Sequence, residues 1–299
     1  MERTVRTADG RVLLVEDVGD PDGLPVLVHS GTPSARLQYP PHVRDATERG
    51  LRLIGYDRPG YGGSTPHPGR TVADCAGDVR AICAELGIDR LATWGASGGG
   101  PHVLACAALL PDLVVAAAAV ASLAPYDADG LDYFAGMGSG NVDDVRLYFS
   151  DEAAARAKAE KDRDEVLAAP PGDGPDGDAD HGAQPDGLES LLSDADAAVM
   201  TGELGDFLAV SMREALRPGV EGWWGDNCMI RPWGFSPADI TVPMLLMHGR
   251  QDRFVPFGHG QWLAARIPGV QARLLDDDGH LTLLQHRIPE VHGWLAGHF

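Results

Sequence analysis

The chain has 299 residues, of which 44% are hydrophobic, enough for one or two domains around a sizeable core. Lysine and arginine number 24 against 44 aspartates and glutamates, and the formal net charge of −20 repels phosphate backbones and anionic membranes. Nucleic-acid binding is therefore not expected, no apolar run approaches the roughly 18 residues that cross a bilayer, and the expectation is a cytoplasmic protein with no membrane partner.

Short apolar runs at residues 12–18, 25–29, 51–57 and 91–95 read as strands, and a longer run over 114–122 ends this series. Between them Val72, Cys75, Val79, Ile82, Cys83 and Leu86 recur at helical spacing. Strands buried on both faces, alternating with helices, predict a mostly parallel sheet. The pattern breaks after Ser122. Residues 125–235 hold no clear strand, and helical segments near 141–168 and 188–217 are rich in Ala, Asp and Glu. Residues 170–187 are nearly all Pro, Gly and Asp and predict a flexible loop, because such a segment buries little apolar surface. Asp176, Asp178 and Asp180 invite comparison with a calcium loop. That loop needs Gly at its sixth position and Glu at its twelfth, where His181 and Gly187 stand, so a solvated loop is the better reading. Strands return at 243–249 and 271–276, with a helix near 257–267 between them and a last helical stretch running to Phe299. The expected organisation is an α/β core over 1–124 and 236–299, interrupted by a helical insertion over 125–235, with no internal repeat.

The four cysteines, Cys75, Cys83, Cys106 and Cys228, form no C-x-x-C pair. Cys75 and Cys83 fall on the apolar face of the predicted helix, so buried thiols are expected, with neither a disulfide framework nor a metal site.

Gly95-Ala96-Ser97-Gly98-Gly99 matches G-x-S-x-G between an apolar strand and a helical run. A serine on so tight a turn needs small neighbours two residues to either side, and Gly95 and Gly99 meet that need. Its hydroxyl is a poor nucleophile without a base, and the base needs an orienting acid. Of the 11 histidines, His280 alone directly follows a predicted strand and precedes a helix. Asp252 lies just past the strand at 243–249, where a carboxylate faces the same crevice as the serine turn; the plain alternative is a helix N-cap aspartate before Val255-Pro256. Asp276, Asp277 and Asp278 stand too near His280 in sequence to orient its ring easily. For a developing oxyanion, the donors expected are the N–H of Gly98 and, from the turn HSGTP at 29–33, the N–H of Thr32.

With these motifs in place, the chain resembles the α/β-hydrolase superfamily, in its helical-capped branch of esterases and proline iminopeptidases. The resemblance spans nearly the whole chain and rests on HSGTP (29–33), YDRPGYGGS (56–64), GASGG (95–99), HGRQD (248–252) and DGH (278–280). It implies an α/β-hydrolase fold with an inserted helical cap and a catalytic triad of Ser97, Asp252 and His280. It also implies acyl chemistry on a small-molecule ester, thioester, lactone or amide, with no cofactor and no metal. In two places the chain departs from the family pattern. Ser30-Gly31 stands where His-Gly is usual, with His29 one place earlier, and Gly98 stands where a bulkier residue is usual, which predicts open space beside the nucleophile. Asp57 resembles a turn anchor of this branch. Trp223, Trp224 and Trp233 fit either of two roles, lining a substrate pocket or packing the cap onto the core. Three other readings are kept open: an aminopeptidase using Asp226 or Glu221 to hold a free amine, a carbon–carbon bond hydrolase, and a small-molecule binding protein of the same fold. No apolar seam indicates a homo-oligomer.

Overall fold

The computed structural model describes residues 1–169, 188–200 and 202–299. The loop expected at 170–187 lies outside the described residues, as do Asp176, Asp178, Asp180, His181 and Gly187.

The elements run in chain order as follows. Strands β1 (Glu2–Arg6), β2 (Val12–Gly19) and β3 (Leu24–His29) precede α1 (Pro40–Glu48), β4 (Leu51–Tyr56) and α2 (Cys75–Leu86). Next come β5 (Leu91–Ala96), α3 (Gly100–Leu109) and β6 (Val114–Val120). Helices α4 (Ser139–Ser150), α5 (Glu152–Ala168), α6 (Leu188–Leu191), α7 (Asp194–Met200), α8 (Glu203–Leu216) and α9 (Glu221–Gly225) intervene. The chain closes with β7 (Met244–Gly249), α10 (Phe257–Arg266), β8 (Gln271–Leu275), α11 (His280–His286) and α12 (Ile288–Ala296). Every strand read from the sequence is present within a residue or two. The added one, β1, escapes notice because four of its five residues are exposed and only Val5 is buried. The long helical stretches are broken, at Asp151 between α4 and α5 and at Arg287 before Pro289.

The sheet has eight strands in the order β1-β2-β4-β3-β5-β6-β7-β8. β2 is antiparallel to both β1 and β4, and the remaining pairs are parallel. This is an α/β-hydrolase fold. One face is covered by α2, α3 and α10 through Val79, Ile82, Leu104 and Leu263; the other by α1 and α12 through Ala46, Val291 and Leu295. All four cysteines are free and buried, and the burial of Cys75 and Cys83 agrees with their place on the apolar face of α2. Ala116 to Ala119 of β6 are wholly buried, so the middle of the sheet is lined by small side chains and the covering helices approach closely. No helix of the described residues is long and apolar enough to cross a membrane.

The strand order reverses direction at β3, which has β4 on one side and β5 on the other. Ligand crevices of open α/β sheets lie at such a point, beyond the carboxyl ends of the strands. Here the turn after β5 is pressed against the end of β3. A side-chain carbon on Gly99 would lie 1.9 Å from the His29 carbonyl oxygen, and one on Gly95 would lie 2.7 Å from the same atom. Backbone on backbone leaves nothing to yield. Gly99→Ala is expected to cost about 3 kcal/mol through this overpacking, measured as a fall in the urea midpoint at unchanged m.

Candidate active site

Parallel pairing brings the carboxyl ends of the central strands to one edge. His29 pairs with Gly95, Ala96 with Val120, Val120 with Met247 and Gly249 with Leu275. The loops carrying Thr32, Ser97, Asp252 and His280 all leave from that edge.

Ser97 has φ of 55°, in the left-handed region that a residue with a Cβ rarely adopts. It opens a single turn, Ser97–Gly99, that leads into α3. Its neighbours on the turn are buried while Ser97 itself is partly exposed. The strained backbone is held by its surroundings and lifts one hydroxyl clear of the sheet.

Asp252 and His280 meet. His280 Nδ1 lies 2.7 Å from Asp252 Oδ2, and both residues are buried. Local chemistry sets this up. Asp252 Oδ1 accepts the N–H groups of Phe254 (2.9 Å) and Val255 (2.8 Å), which closes the turn and leaves Oδ2 for the imidazole. The helix N-cap role is not filled, because α10 begins at Phe257 and Oδ1 closes the turn before it instead; turn closure and ring orientation are shared between the two oxygens of one carboxylate. Gly249 lets the DGH loop come close, since a side-chain carbon there would lie 2.2 Å from the Asp278 carbonyl. The N–H of Gln251 then donates to that carbonyl at 3.0 Å. The His280 ring stacks on Phe254, centroids 4.6 Å apart. Its backbone N–H, with those of Leu281 and Thr282, donates to Asp196 of α7. Asp276 and Asp278 pair instead with Arg250 and Arg287. Burial disfavours the charged imidazole, but Asp252, with a contribution from Asp196, outweighs it and raises the His280 pKa above its ordinary value. Among the described residues Ser97 is not hydrogen-bonded to His280. Catalytic hydrogen bonds are often long in a ligand-free enzyme and tighten around substrate.

Two other histidines near the site serve the scaffold. His248 Nε2 is bonded to the Val255 carbonyl (2.8 Å), and His259 bridges Ala124 N–H and the Tyr133 carbonyl. Asp57 is a turn anchor: its oxygens accept the N–H groups of Arg36 (2.6 Å) and Gly63 (2.9 Å).

The expected open space at Gly98 is not there. A side-chain carbon on Gly98 would lie 2.2 Å from Thr32 Oγ1 and 3.2 Å from Met229 Cε. The Thr32 side chain fills the room that a larger residue at 98 would take. Gly31 runs beside the serine, 3.6 Å from its Cβ by the same construction.

Beneath this loop lies a buried cluster that sequence reasoning missed. Asp226 Oδ2 accepts from Arg58 Nη2 (2.6 Å), Tyr61 OH (2.9 Å) and Thr32 Oγ1 (2.5 Å), and Oδ1 accepts from Arg70 Nη2 (2.5 Å). Arg58 also donates to the carbonyls of Ser30 and Gly31, the latter at 3.0 Å. A trans peptide holds its carbonyl and N–H on opposite sides. Fixing the Gly31 carbonyl on Arg58 therefore turns the Thr32 N–H away from the guanidinium. Arg70 reaches His102 at 3.4 Å, and His102 Nδ1 meets the Gly98 carbonyl at 2.9 Å. Burial, with Arg58 nearby, lowers the His102 pKa to about 3, so the ring is neutral, accepting from Arg70 and donating to Gly98. One carboxylate thus reaches both stretches of backbone expected to face an oxyanion. Burial alone would raise the Asp226 pKa, but Arg58 and Arg70 outweigh it and hold the carboxyl well below the usual range.

Asp226 is consequently not available to hold a substrate amine, and Glu221 is paired with Arg156. Nor does the nearby grouping of His102, Asp226 and Cys228 suit a cation. Two guanidinium groups already occupy the carboxylate, and burial pushes the Cys228 thiol up to about 11.

The tryptophans pack. Trp233 is 3% exposed, stacks on Phe235 and donates to the Met229 carbonyl at 2.9 Å, in the core beneath the intervening helices. Trp223 and Trp224 line a cavity of about 70 Å³ with Leu147, Tyr148 and Lys158, among α4, α5 and α9. That is below the several hundred Å³ of a substrate pocket, and neither Ser97, Asp252 nor His280 lines it.

A family model described as alpha/beta hydrolase fold matches residues 25–169. A non-heme chloroperoxidase of Streptomyces lividans is 33% identical over 123 residues, 41% of this chain and 45% of that protein. The chain thus matches less than half the length of that relative. The AB hydrolase superfamily protein YisY of Bacillus subtilis is 26% identical over 289 residues, 94% of this chain and 92% of its own. A thermophilic esterase from Thermogutta terrifontis superposes over 100% of both chains with a TM-score of 0.67 at 21% identity, a likeness of fold.

The buried cluster makes a stability statement. Asp226→Asn leaves Arg58 and Arg70 buried without a counter-charge and is expected to cost about 3–5 kcal/mol. Urea unfolding at pH 7 measures it. Because the Asp226 pKa is depressed, its contribution is fully present above the ordinary carboxylate pKa of 3.8 and is lost only in stronger acid, so the deficit should not vary between pH 6 and 8.

Proposed function

The chain belongs to the α/β-hydrolase superfamily, and on that premise we propose that it is a serine hydrolase acting on a small ester-like acyl substrate. The observation that carries this reading is the Asp252–His280 pair at 2.7 Å, standing at the same sheet edge as a serine with φ of 55°. Superfamily members with an aspartate on the elbow follow other chemistry; a serine here points to acyl transfer.

In this reading Ser97 Oγ attacks the substrate carbonyl carbon while His280 Nε2 takes its proton. Asp252 holds Nδ1–H, fixes the tautomer and stabilises the imidazolium. The carbonyl oxygen becomes an oxyanion held by the N–H groups of Gly98 and Thr32. His280 returns the proton to the leaving group, and the acyl group stays on Ser97. Water then attacks the acyl carbon, giving a proton to His280, which passes it to Ser97 Oγ as the acyl–oxygen bond breaks, and the carboxylic acid and free serine are released. No cofactor or metal enters this scheme. The intervening helices α4–α9 act as a cap over the crevice. The aminopeptidase alternative loses support because Asp226 and Glu221 are already paired. The four free, buried thiols fit a reducing compartment, so the cytoplasm is the proposed location.

A p-nitrophenyl ester series and a fluorophosphonate probe test the reading. Wild type should turn over a short acyl ester and label once per chain; Ser97→Ala should not label and should lose at least about 10³-fold in kcat. Intact labelling of Ser97→Ala would remove the proposal. His280 must be neutral to accept a proton, and its pKa is raised by Asp252, so kcat/KM should rise with pH through a midpoint above the ordinary 6.5. A midpoint below that value would contradict the assignment of His280 as the base.

A further inference from the structure

His280 is the first residue of α11, and the N–H groups that open a helix have no partner within it. Here they find one in a different part of the chain. Asp196 Oδ2 accepts from His280 N–H at 3.0 Å, and Oδ1 accepts from Leu281 (2.7 Å) and Thr282 (3.1 Å). The side chain of Asp196 is 0% exposed. Ser193 steadies it, its hydroxyl donating to Oδ2 at 3.0 Å and accepting the Asp196 N–H at 3.2 Å. Gly279 makes the approach feasible, since a side-chain carbon there would lie 2.4 Å from Oδ2. A buried carboxylate on three consecutive N–H groups is a costly arrangement to build for a surface turn, and it sits on the residue proposed as the base.

We propose that Asp196 is a positioning residue for His280: it fixes the backbone from which the imidazole swings between Asp252 and Ser97, and its charge stabilises the imidazolium formed during acyl transfer. The inference rests on the serine-hydrolase reading and adds a residue from the intervening helices to it. The electrostatic part follows from proximity. Unpaired N–H groups carry partial positive charge, which opposes a cation next to them. Asp196 replaces that opposition with an attractive charge. The other groups around the ring are accounted for. Asp252 holds Nδ1, and Phe254 stacks on the ring face. His248 lies 3.7 Å from Asp252 Oδ2, and burial keeps it neutral. Asp278, in the loop before the helix, is paired with Arg287 at 2.9 Å. Asp252 and Asp196 are the two acids that favour the charged ring.

The test compares wild type, Asp196→Asn and Asp196→Ala by three measurements: the His280 ring pKa from NMR of the resting protein, the pH dependence of kcat/KM on a p-nitrophenyl ester, and the melting temperature. Asp196→Asn keeps a carbonyl acceptor and removes the charge. Its ring pKa should fall by about half a unit or more, and the acid limb of kcat/KM should move to lower pH by the same amount. Its kcat should fall about tenfold with KM within twofold, and Asp196→Ala should lose about 100-fold. A purely structural role would lower the melting temperature and leave the ring pKa and acid limb where they were; that result overturns the proposal. Should Asp196→Asn fail to fold, Ser193→Ala keeps the carboxylate but loosens it, and should shift kcat and ring pKa in the same directions by less; no shift counts against the proposal. If wild type neither labels at Ser97 nor cleaves esters, the serine-hydrolase reading fails, whereas the NMR measurement still decides whether Asp196 acts on the ring.

Discussion

The site depends on one buried charge. Asp226 sits between Arg58 and Arg70, with Tyr61 and Thr32 on the same oxygen as Arg58. Two cations and one anion out of water are costly unless every donor and acceptor is matched. The spare donors of Arg58 are spent on the carbonyls of Ser30 and Gly31, and Arg70 Nη1 on Cys228 and His102, with Arg70 Nε left as a buried donor without a partner. Satisfying the ion cluster therefore requires one particular path of the loop after β3 and one particular orientation of the peptide at Gly98. The excess positive charge left in this dry region lies beside the Gly31–Thr32 and Gly98 peptides, the backbone proposed to face an oxyanion.

The opposite side of the crevice obeys a similar economy. Asp252 closes a tight turn with Oδ1 and orients an imidazole with Oδ2. The helix N-cap that sequence also suggests for this residue is not formed, since α10 starts at Phe257, and turn closure does not compete with ring orientation because each uses a different oxygen. Gly249 is where chain meets chain closely enough to bring the loop of His280 to that turn, and Gly279 is where the same loop admits Asp196.

Much of this was legible from residue types. Strand runs, the helical insertion and the serine elbow are signals of period and local sterics, which sequence carries directly. What escaped belongs to partners distant in sequence. β1 has one buried residue in five and so lacks alternation. Asp226 reads as a free acid until the two arginines more than 150 positions earlier are brought to it. Gly98 suggests empty space because the residue that fills it, Thr32, lies on another loop. Asp196 sits in an acidic stretch, DADA, whose members are indistinguishable until burial selects one. The tryptophans illustrate the converse: aromatic clustering marks a packed region, and only the geometry tells whether that region opens onto a reaction centre.

Helices α4–α9 touch the crevice through two acids, Asp196 on the imidazole side and Asp226, which follows α9, on the serine side. Each is fully enclosed and each satisfies backbone or side chains of the sheet domain. These helices therefore do not behave as an interchangeable module. A chimera that replaced them with the corresponding stretch of a relative would have to reinstate both carboxylates at their present depth, or else leave orphaned arginines on one flank and an untethered imidazole on the other.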